Sequence, residues 1–251
     1  MKFINKQEII HLLFNTRCLL FPSYFEKIKG KKEKYYADKI NCIKRILRNN
    51  ISDKKKEEKI KQFISSLPII KKQLKKDLKA FCKNDPAVTS LSEIILTYPG
   101  FFTIFVYRIA HALSNLNIKL IPRLMTEYAH EKTGIDIHPK AIIGDYFFID
   151  HGTGIVIGET TIIGNNVKIY HGVTLGTKSI KDSSKLKGVK RHPTILDNVT
   201  IYSGATILGG NTIIHKNCII GCNTTITSSV DENSMVININ TISQVTKKIT
   251  M

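Results

Sequence analysis

Three strings in the second half of this 251-residue chain set a histidine beside a charged residue: Asp136-Ile137-His138-Pro139, Asp150-His151-Gly152-Thr153-Gly154 and Arg191-His192-Pro193. A carboxylate next to an imidazole selects its tautomer and stabilises its protonated form, so such a pair is equipped to act as a general base toward a hydroxyl. Asp136 and His151 are 15 residues apart. In a chain that coils with a turn of roughly 18 residues they fall close together on adjacent coils, which makes them a candidate dyad. For any one of the eight histidines a satisfied structural role is the default. The weight of the pattern therefore rests on the elements that carry it.

Those elements announce themselves by a six-residue beat of branched apolar residues. It runs Ile137, Ile143, Ile149, then Ile157, Ile163, Ile169, Leu175, resumes at Ile195, Ile201, Ile207, slips by one, and continues at Ile214, Ile220, Ile226. A period of six fits neither an amphipathic helix nor a two-sided strand, whereas a three-sided solenoid places one aliphatic residue at each corner of a stacked prism. An antiparallel sandwich would instead show alternation broken by turn clusters every 8–12 residues or so. Ile143-Gly144, Ile157-Gly158, Ile163-Gly164, Leu175-Gly176 and Ile220-Gly221 put glycine where a corner conformation disfavours a Cβ. The beat fails twice. After Ile149 the next corner comes eight residues on, across the Asp150-His151 string, and residues 177–190 form a polar, cationic insertion of the kind that is functional or disordered in a compact repeat.

Upstream, residues 1–80 are rich in Lys, Glu, Leu and Ile, with apolar residues at helical spacing such as Ile60, Phe63, Ile64 and Leu67. Pro68, Pro86 and Pro99-Gly100 punctuate this half, and Phe105, Ile109 and Leu113 continue the helical spacing. The expected organisation is a helical N-terminal domain (1–134, of which 1–80 is lysine-rich), a solenoid over 135–230 and a tail over 231–251. The formal net charge is +18, mostly lysine. Lysine, isoleucine and asparagine are abundant together, so a compositional bias accounts for most of it, and no nucleic-acid partner is expected. What remains is a field that attracts an anionic ligand such as a nucleotide-bearing cofactor. The five cysteines show no C-x-x-C spacing, which argues against a disulfide framework or a structural zinc site. No apolar run approaches the roughly 20 residues of a membrane span, and the N-terminus makes a poor signal peptide, so a cytoplasmic protein is expected.

The strings Asp136-Ile-His-Pro, Asp150-His-Gly-Thr-Gly-Ile-Val-Ile-Gly-Glu-Thr, Gly172-Val-Thr-Leu-Gly and Arg191-His-Pro-Thr-Ile, in this order on hexapeptide repeats, resemble serine O-acetyltransferases. Asp85-Pro86-Ala87-Val88 and Tyr107-Arg108-Ile109-Ala110-His111 extend the likeness over about residues 80 to 230. The resemblance implies an α+β chain whose helical domain leads into a left-handed parallel β-helix of hexapeptide repeats. It implies a homotrimer or a dimer of trimers, with active sites between neighbouring prisms. By the same likeness His151 is the general base toward the L-serine hydroxyl and Asp136 orients it. Asp85 and Asp150 match positions near the substrate amine, and Arg191 and His192 those near its carboxylate. Acetyl-CoA is the co-substrate, running past Gly176, Thr177, Ser203 and Gly204, with lysines of the 177–190 loop as phosphate partners; no metal is expected. Glu159 matches either a further polar contact or a corner cap.

The chain departs from the family pattern in the longer loop before Arg191, in Val236-Ile-Asn-Ile-Asn after the last repeats, and in its final Lys248-Ile249-Thr250-Met251. The family's complex with cysteine synthase uses a tail ending in isoleucine, so that partner is not expected here. Three other readings compete. A hexapeptide O-acetyltransferase for a sugar or xenobiotic hydroxyl does not require the Asp85, Asp150 and Arg191 set. A zinc hydratase on the same solenoid needs three histidine ligands, and His151, His171 and His192 do not supply that spacing. A non-catalytic scaffold leaves the Asp136, His151 and Arg191 pattern without a cause.

Overall fold

The computed structural model describes residues 4–178 and 188–239. Lys181, Lys185 and Lys187 of the extended loop and the string from Lys248 to Met251 lie outside the described residues. Six helices come first: α1 (Lys6–Leu20), α2 (Lys32–Asn50), α3 (Lys56–Asn84), α4 (Leu91–Thr97), α5 (Pro99–Asn115) and α6 (Ile121–Thr133). Their ends follow local chemistry. Asn5 accepts from the Gln7 and Glu8 amides, Ser90 accepts from the Glu93 amide, Pro99 opens α5, and Gly134 closes α6 in the left-handed conformation. Pro68, read as a break, lies inside α3. Its ring is on the exposed side while Phe63, Leu67, Ile70 and Leu74 are buried around it. That burial outweighs the roughly 3 kcal/mol a helix-interior proline costs. Among the described residues no single helix is long and apolar enough to cross a membrane.

The second half is a parallel solenoid of about five turns. Its strands are β1 (Asp136–Ile137), β2 (Ile142–Ile143), β3 (Phe148–Asp150), β4 (Val156–Ile157), β5 (Ile162–Ile163), β6 (Lys168–Tyr170) and β7 (Thr174–Gly176). After the loop follow β8 (Thr194–Ile195), β9 (Thr200–Ile201), β10 (Thr206–Leu208), β11 (Ile213–Ile214), β12 (Ile219–Ile220), β13 (Thr225–Ile226) and β14 (Met235–Val236). Strands three apart stack in register as far as β13, giving a first face β1-β4-β7-β10-β13, a second β2-β5-β8-β11, extended by a bridge from Ile214 to Val230, and a third β3-β6-β9-β12, on which β14 is the last strand. All the residues of the six-residue beat are buried inside this prism. The helical half and the solenoid share one apolar cluster from Ile9 to Ile226.

The coil lengths locate the two irregularities. Asp136 stacks on Val156, 20 residues on, and Val156 on Thr174, 18 on. Thr174 stacks on Thr206, 32 on, so the chain returns to the first face in register after the 177–190 insertion. The corner glycines act differently from expectation. None of the glycines in those Ile-Gly and Leu-Gly pairs has positive φ; along the corner between the second and third faces it belongs to Tyr146, Asn166, Asn198, Asn217 and Asn233, and the short amide of the asparagines tolerates that region. Gly144, Gly158 and Gly164 are required by close approach instead: a Cβ at Gly144 would stand 2.6 Å from the Gly164 carbonyl oxygen.

The helices are fastened to the first coil by a buried ion pair. Arg108 of α5 donates to both carboxylate oxygens of Asp77 in α3, at 2.6 and 2.8 Å, and also to the Gly144 carbonyl at 2.8 Å. Asp77 in turn accepts from the Phe147 amide at 3.0 Å. Gly100 lets α5 lie against β3, where a Cβ would meet the Ile149 carbonyl oxygen at 2.7 Å. These contacts set the end of α3, and with it Asp85, beside the third face.

Candidate active site

The two extra residues of the first coil build an outward-facing histidine. β3 ends on Asp150, and His151 and Gly152 follow with φ of 53° and 98°. Gly152 is needed there, since a Cβ would lie 2.4 Å from the Ile135 side chain. The turn leaves the His151 side chain 76% exposed, with its Nε2 3.8 Å from Asp150 Oδ1. One coil on, His171 occupies the same corner, with its ring centroid 5.8 Å from that of His151.

Asp85 arrives at this edge from α3. It caps the helix, its Oδ1 accepts from the Ala87 amide at 2.8 Å, and its Oδ2 accepts from the Tyr98 hydroxyl at 2.7 Å. That hydrogen bond, with burial and the field of Asp150, pushes Tyr98 up to about 12. Burial and the charges of Asp150 and Asp85 also push Tyr170 up. Two carboxylates thus act on the same pair of tyrosines beside an exposed imidazole. Such an edge fits a cationic amine whose neighbouring hydroxyl reaches the imidazole.

Arg191 and His192 lie at the opposite end of the first face. The face's strands begin after the His151 corner and end at the Gly158 corner, where Glu159 and Thr160 follow. Arg191 Nη2 donates to Glu159 Oε2 at 2.5 Å, and Lys140 Nζ donates to Glu159 Oε1 at 2.8 Å. The hydrogen bond from Lys140 and that from Arg191 hold the Glu159 carboxyl down at about 2, against a smaller opposing effect of burial. His192 is buried, and its Nδ1 accepts from the Thr160 amide at 3.1 Å, which leaves Nε2 to carry the proton of the neutral ring. Burial first, then the charges of Arg191 and Lys190, press His192 down to about 4. Gly158 makes room for the ring, since a Cβ there would stand 2.1 Å from it. The single chain therefore separates Asp85, Asp150 and His151 from Arg191 and His192.

Asp136 sits on the first face in register with Val156, five positions past His151. Among the described residues no hydrogen bond or ion pair within 4 Å joins Asp136 to His151; the carboxylate nearest His151 is Asp150, and Asp136 lies 3.5 Å from Arg123 Nη1. The expected adjacency assumed an 18-residue coil, and the 20-residue first coil shifts the stack. Glu127, His130 and Asp136 bring ligand-type atoms within 4.8 Å of one another, but the Arg123 guanidinium already pairs with both carboxylates.

The residues assigned to acetyl-CoA divide in the same way. Gly176 ends β7 at the His192 edge and Thr177 follows it, while Ser203 and Gly204 continue the His151–His171 corner, with the Gly204 amide donating to the His171 carbonyl at 3.0 Å. Lys190 is not a phosphate partner: its amino group donates to the carbonyls of Thr160, His192 and Pro193, closing the loop where it rejoins the prism. Thr160 was not anticipated. Its Oγ1 accepts from the Arg191 amide at 2.9 Å and the His192 amide at 3.0 Å, contacts between residues 31 and 32 apart that no local pattern announces.

Comparison with known proteins adds the following. A model of the serine acetyltransferase N-terminal region matches residues 40–105. A plasmid-encoded serine acetyltransferase of Synechococcus elongatus is 50% identical over 140 residues, 55% of this chain and 44% of the relative. The Helicobacter pylori serine acetyltransferase is 48% identical over 122 residues, 49% of this chain and 68% of the relative. Entamoeba histolytica serine acetyltransferase isoform 3, solved in complex with cysteine, superposes with a TM-score of 0.86 at 36% identity, covering 94% of this chain and 84% of that one. The matched stretch spans about half the length of the first two curated relatives.

Proposed function

The chain belongs to the serine acetyltransferase family, and on that premise we propose that it transfers the acetyl group of acetyl-CoA to the hydroxyl of L-serine, giving O-acetyl-L-serine. The observation that carries the proposal is the division of the polar residues between the two ends of one solenoid face. An exposed imidazole with two carboxylates stands at one end, and a guanidinium with a neutral imidazole stands at the other. The groove between two chains set edge to edge joins both halves, so the working form is a homotrimer or a dimer of trimers, one site per groove.

In that groove Asp85 and Asp150 hold the ammonium group of serine. Arg191 and His192 Nε2–H hold its carboxylate, for which a guanidinium fork suits two oxygens. His151 takes the hydroxyl proton as the serine oxygen adds to the thioester carbonyl. The tetrahedral adduct collapses, the carbon–sulfur bond breaks, and His151 returns its proton to the departing coenzyme A thiolate. Holding both substrates in one groove supplies much of the acceleration. Gly176 and Thr177 of one chain and Ser203 and Gly204 of its neighbour line the acetyl-CoA path. A cytoplasmic setting suits both substrates and the five free thiols.

Release of free coenzyme A thiol from acetyl-CoA, with and without L-serine, tests the reading. Wild type should release thiol only with serine, and His151→Ala should lower the rate by roughly 10²–10⁴. A folded protein that releases thiol equally well with a sugar acceptor, or whose His151→Ala variant keeps full activity, overturns it.

A further inference from the structure

We propose that the corner between the second and third faces carries a binding site for a small phosphorylated metabolite, apart from the serine and acetyl-CoA groove. A cavity of about 350 Å³ opens between the last turns of α3, which contribute Lys79, Lys83 and Asn84, and the first coils of the solenoid, which contribute Tyr146, Asn166, Lys168, Asn198 and Thr200. Its size falls at the small end of ligand pockets. The side chains of Lys79, Lys83 and Lys168 make no hydrogen bond or ion pair among the described residues. The carboxylate that follows Gly144 at this corner, Asp145, is taken by Lys76 at 2.6 Å.

This convergence differs from lysine excess spread over a surface. Lys79 and Lys83 are four apart on one helix, an arrangement in which like charges repel, and Lys168 faces them half-buried from β6. A role in offsetting the negative end of α3 accounts for Lys83 alone, because that effect fades within the last turn. The uncharged lining is also set for an anion. Asn198 uses its amide donor on Asn217 and Asn217 on Asn233, a ladder along the corner, but the Asn166 side chain stands below it without a partner. Ammonium, amide and hydroxyl groups together satisfy phosphate oxygens, and the half-buried Tyr146 ring offers a flat surface for the organic part. The site lies at the Tyr146, Asn166 and Asn198 corner, whereas the residues assigned to the reaction lie at the two ends of the first face.

Titration calorimetry at 0.15 M KCl with AMP and with inorganic phosphate tests the proposal, run on the intact protein with coenzyme A saturating so that its own groove is filled. Wild type should bind at least one of the two probes. Lys79→Gln/Lys83→Gln/Lys168→Gln should weaken that binding at least tenfold, while serine-dependent thiol release stays unchanged. Asn166→Asp, at an exposed position, should weaken it as well by placing a carboxylate against the phosphate. Binding that coenzyme A abolishes, that the variants leave intact, or that is absent at this salt concentration for both probes overturns the proposal.

Discussion

Glu159 Oε2 lies 2.5 Å from Arg191 Nη2, and the two residues reach each other from corners 32 positions apart. With Lys140 on its other oxygen, Glu159 stays ionised and holds the Arg191 guanidinium against the Gly158 corner.

Glu159→Gln removes the charge and leaves one acceptor oxygen where Arg191 and Lys140 each have their own. Because the pair is partly exposed, its contribution is modest, on the order of 1 kcal/mol. The expected result is a KM for serine raised roughly fivefold with kcat nearly unchanged, read from steady-state thiol release. An unchanged KM would show that Glu159 does not orient Arg191 for serine.

Gly158→Ala should do more damage than its size implies. The new methyl would stand 2.1 Å from the His192 ring, which is itself pinned through Nδ1 to the Thr160 amide. The ring must leave its seat, at a cost of about 1–3 kcal/mol of stability. A lowered melting temperature together with a raised KM for serine is the expected pair of readouts.

His192 makes folding depend on pH. Its folded value, about 4, lies below the ordinary 6.5, so between those values the unfolded chain binds a proton that the folded chain refuses. Stability is therefore full above about pH 6.5 and falls as pH drops toward 4, by about 1–3 kcal/mol for this residue. His111 and His138, also pressed down chiefly by burial, act in the same direction. His192→Asn keeps an acceptor for Thr160 and cannot titrate. Denaturant unfolding from pH 7 to pH 4 should show a shallower loss in that variant.

Asp77→Asn leaves the buried Arg108 guanidinium without its counter-ion. Removing one partner of a buried pair costs about 3–5 kcal/mol. Since the pair ties α3 and α5 to the first coil, unfolding of the variant should begin where the helices meet the solenoid. Hydrogen exchange should show lost protection in α3 before the later coils.

The periodic part of the architecture was legible because periodicity is a local property. One branched residue at each corner, repeated every six, leaves a prism as the compact solution, and each of those residues from Ile137 to Ile226 is buried as the spacing required. Pro68 shows the limit of local rules, since a proline's cost was outweighed by apolar contacts that a one-dimensional reading does not see. The Ile-Gly pairs were rightly noticed for a reason that proved different: the next coil comes too close for a Cβ at Gly158 and Gly164.

The sequence by itself determined the solenoid, the helical half before it, and the residue types available for acyl transfer, because those follow from spacing and side-chain chemistry. Tertiary structure decided their grouping. It brought Asp85 and Asp150 to bear on the same two tyrosines, Tyr98 and Tyr170, set Arg191 and His192 at the far end of the first face, and committed Lys190 to three backbone carbonyls. The physical reason is that a solenoid stacks residues about 18 to 32 positions apart, so contact depends on coil length. The two residues added at Asp150-His151 and the insertion at 177–190 change which sequence separations come into contact, while the strands themselves stay in register, and no local pattern encodes that change.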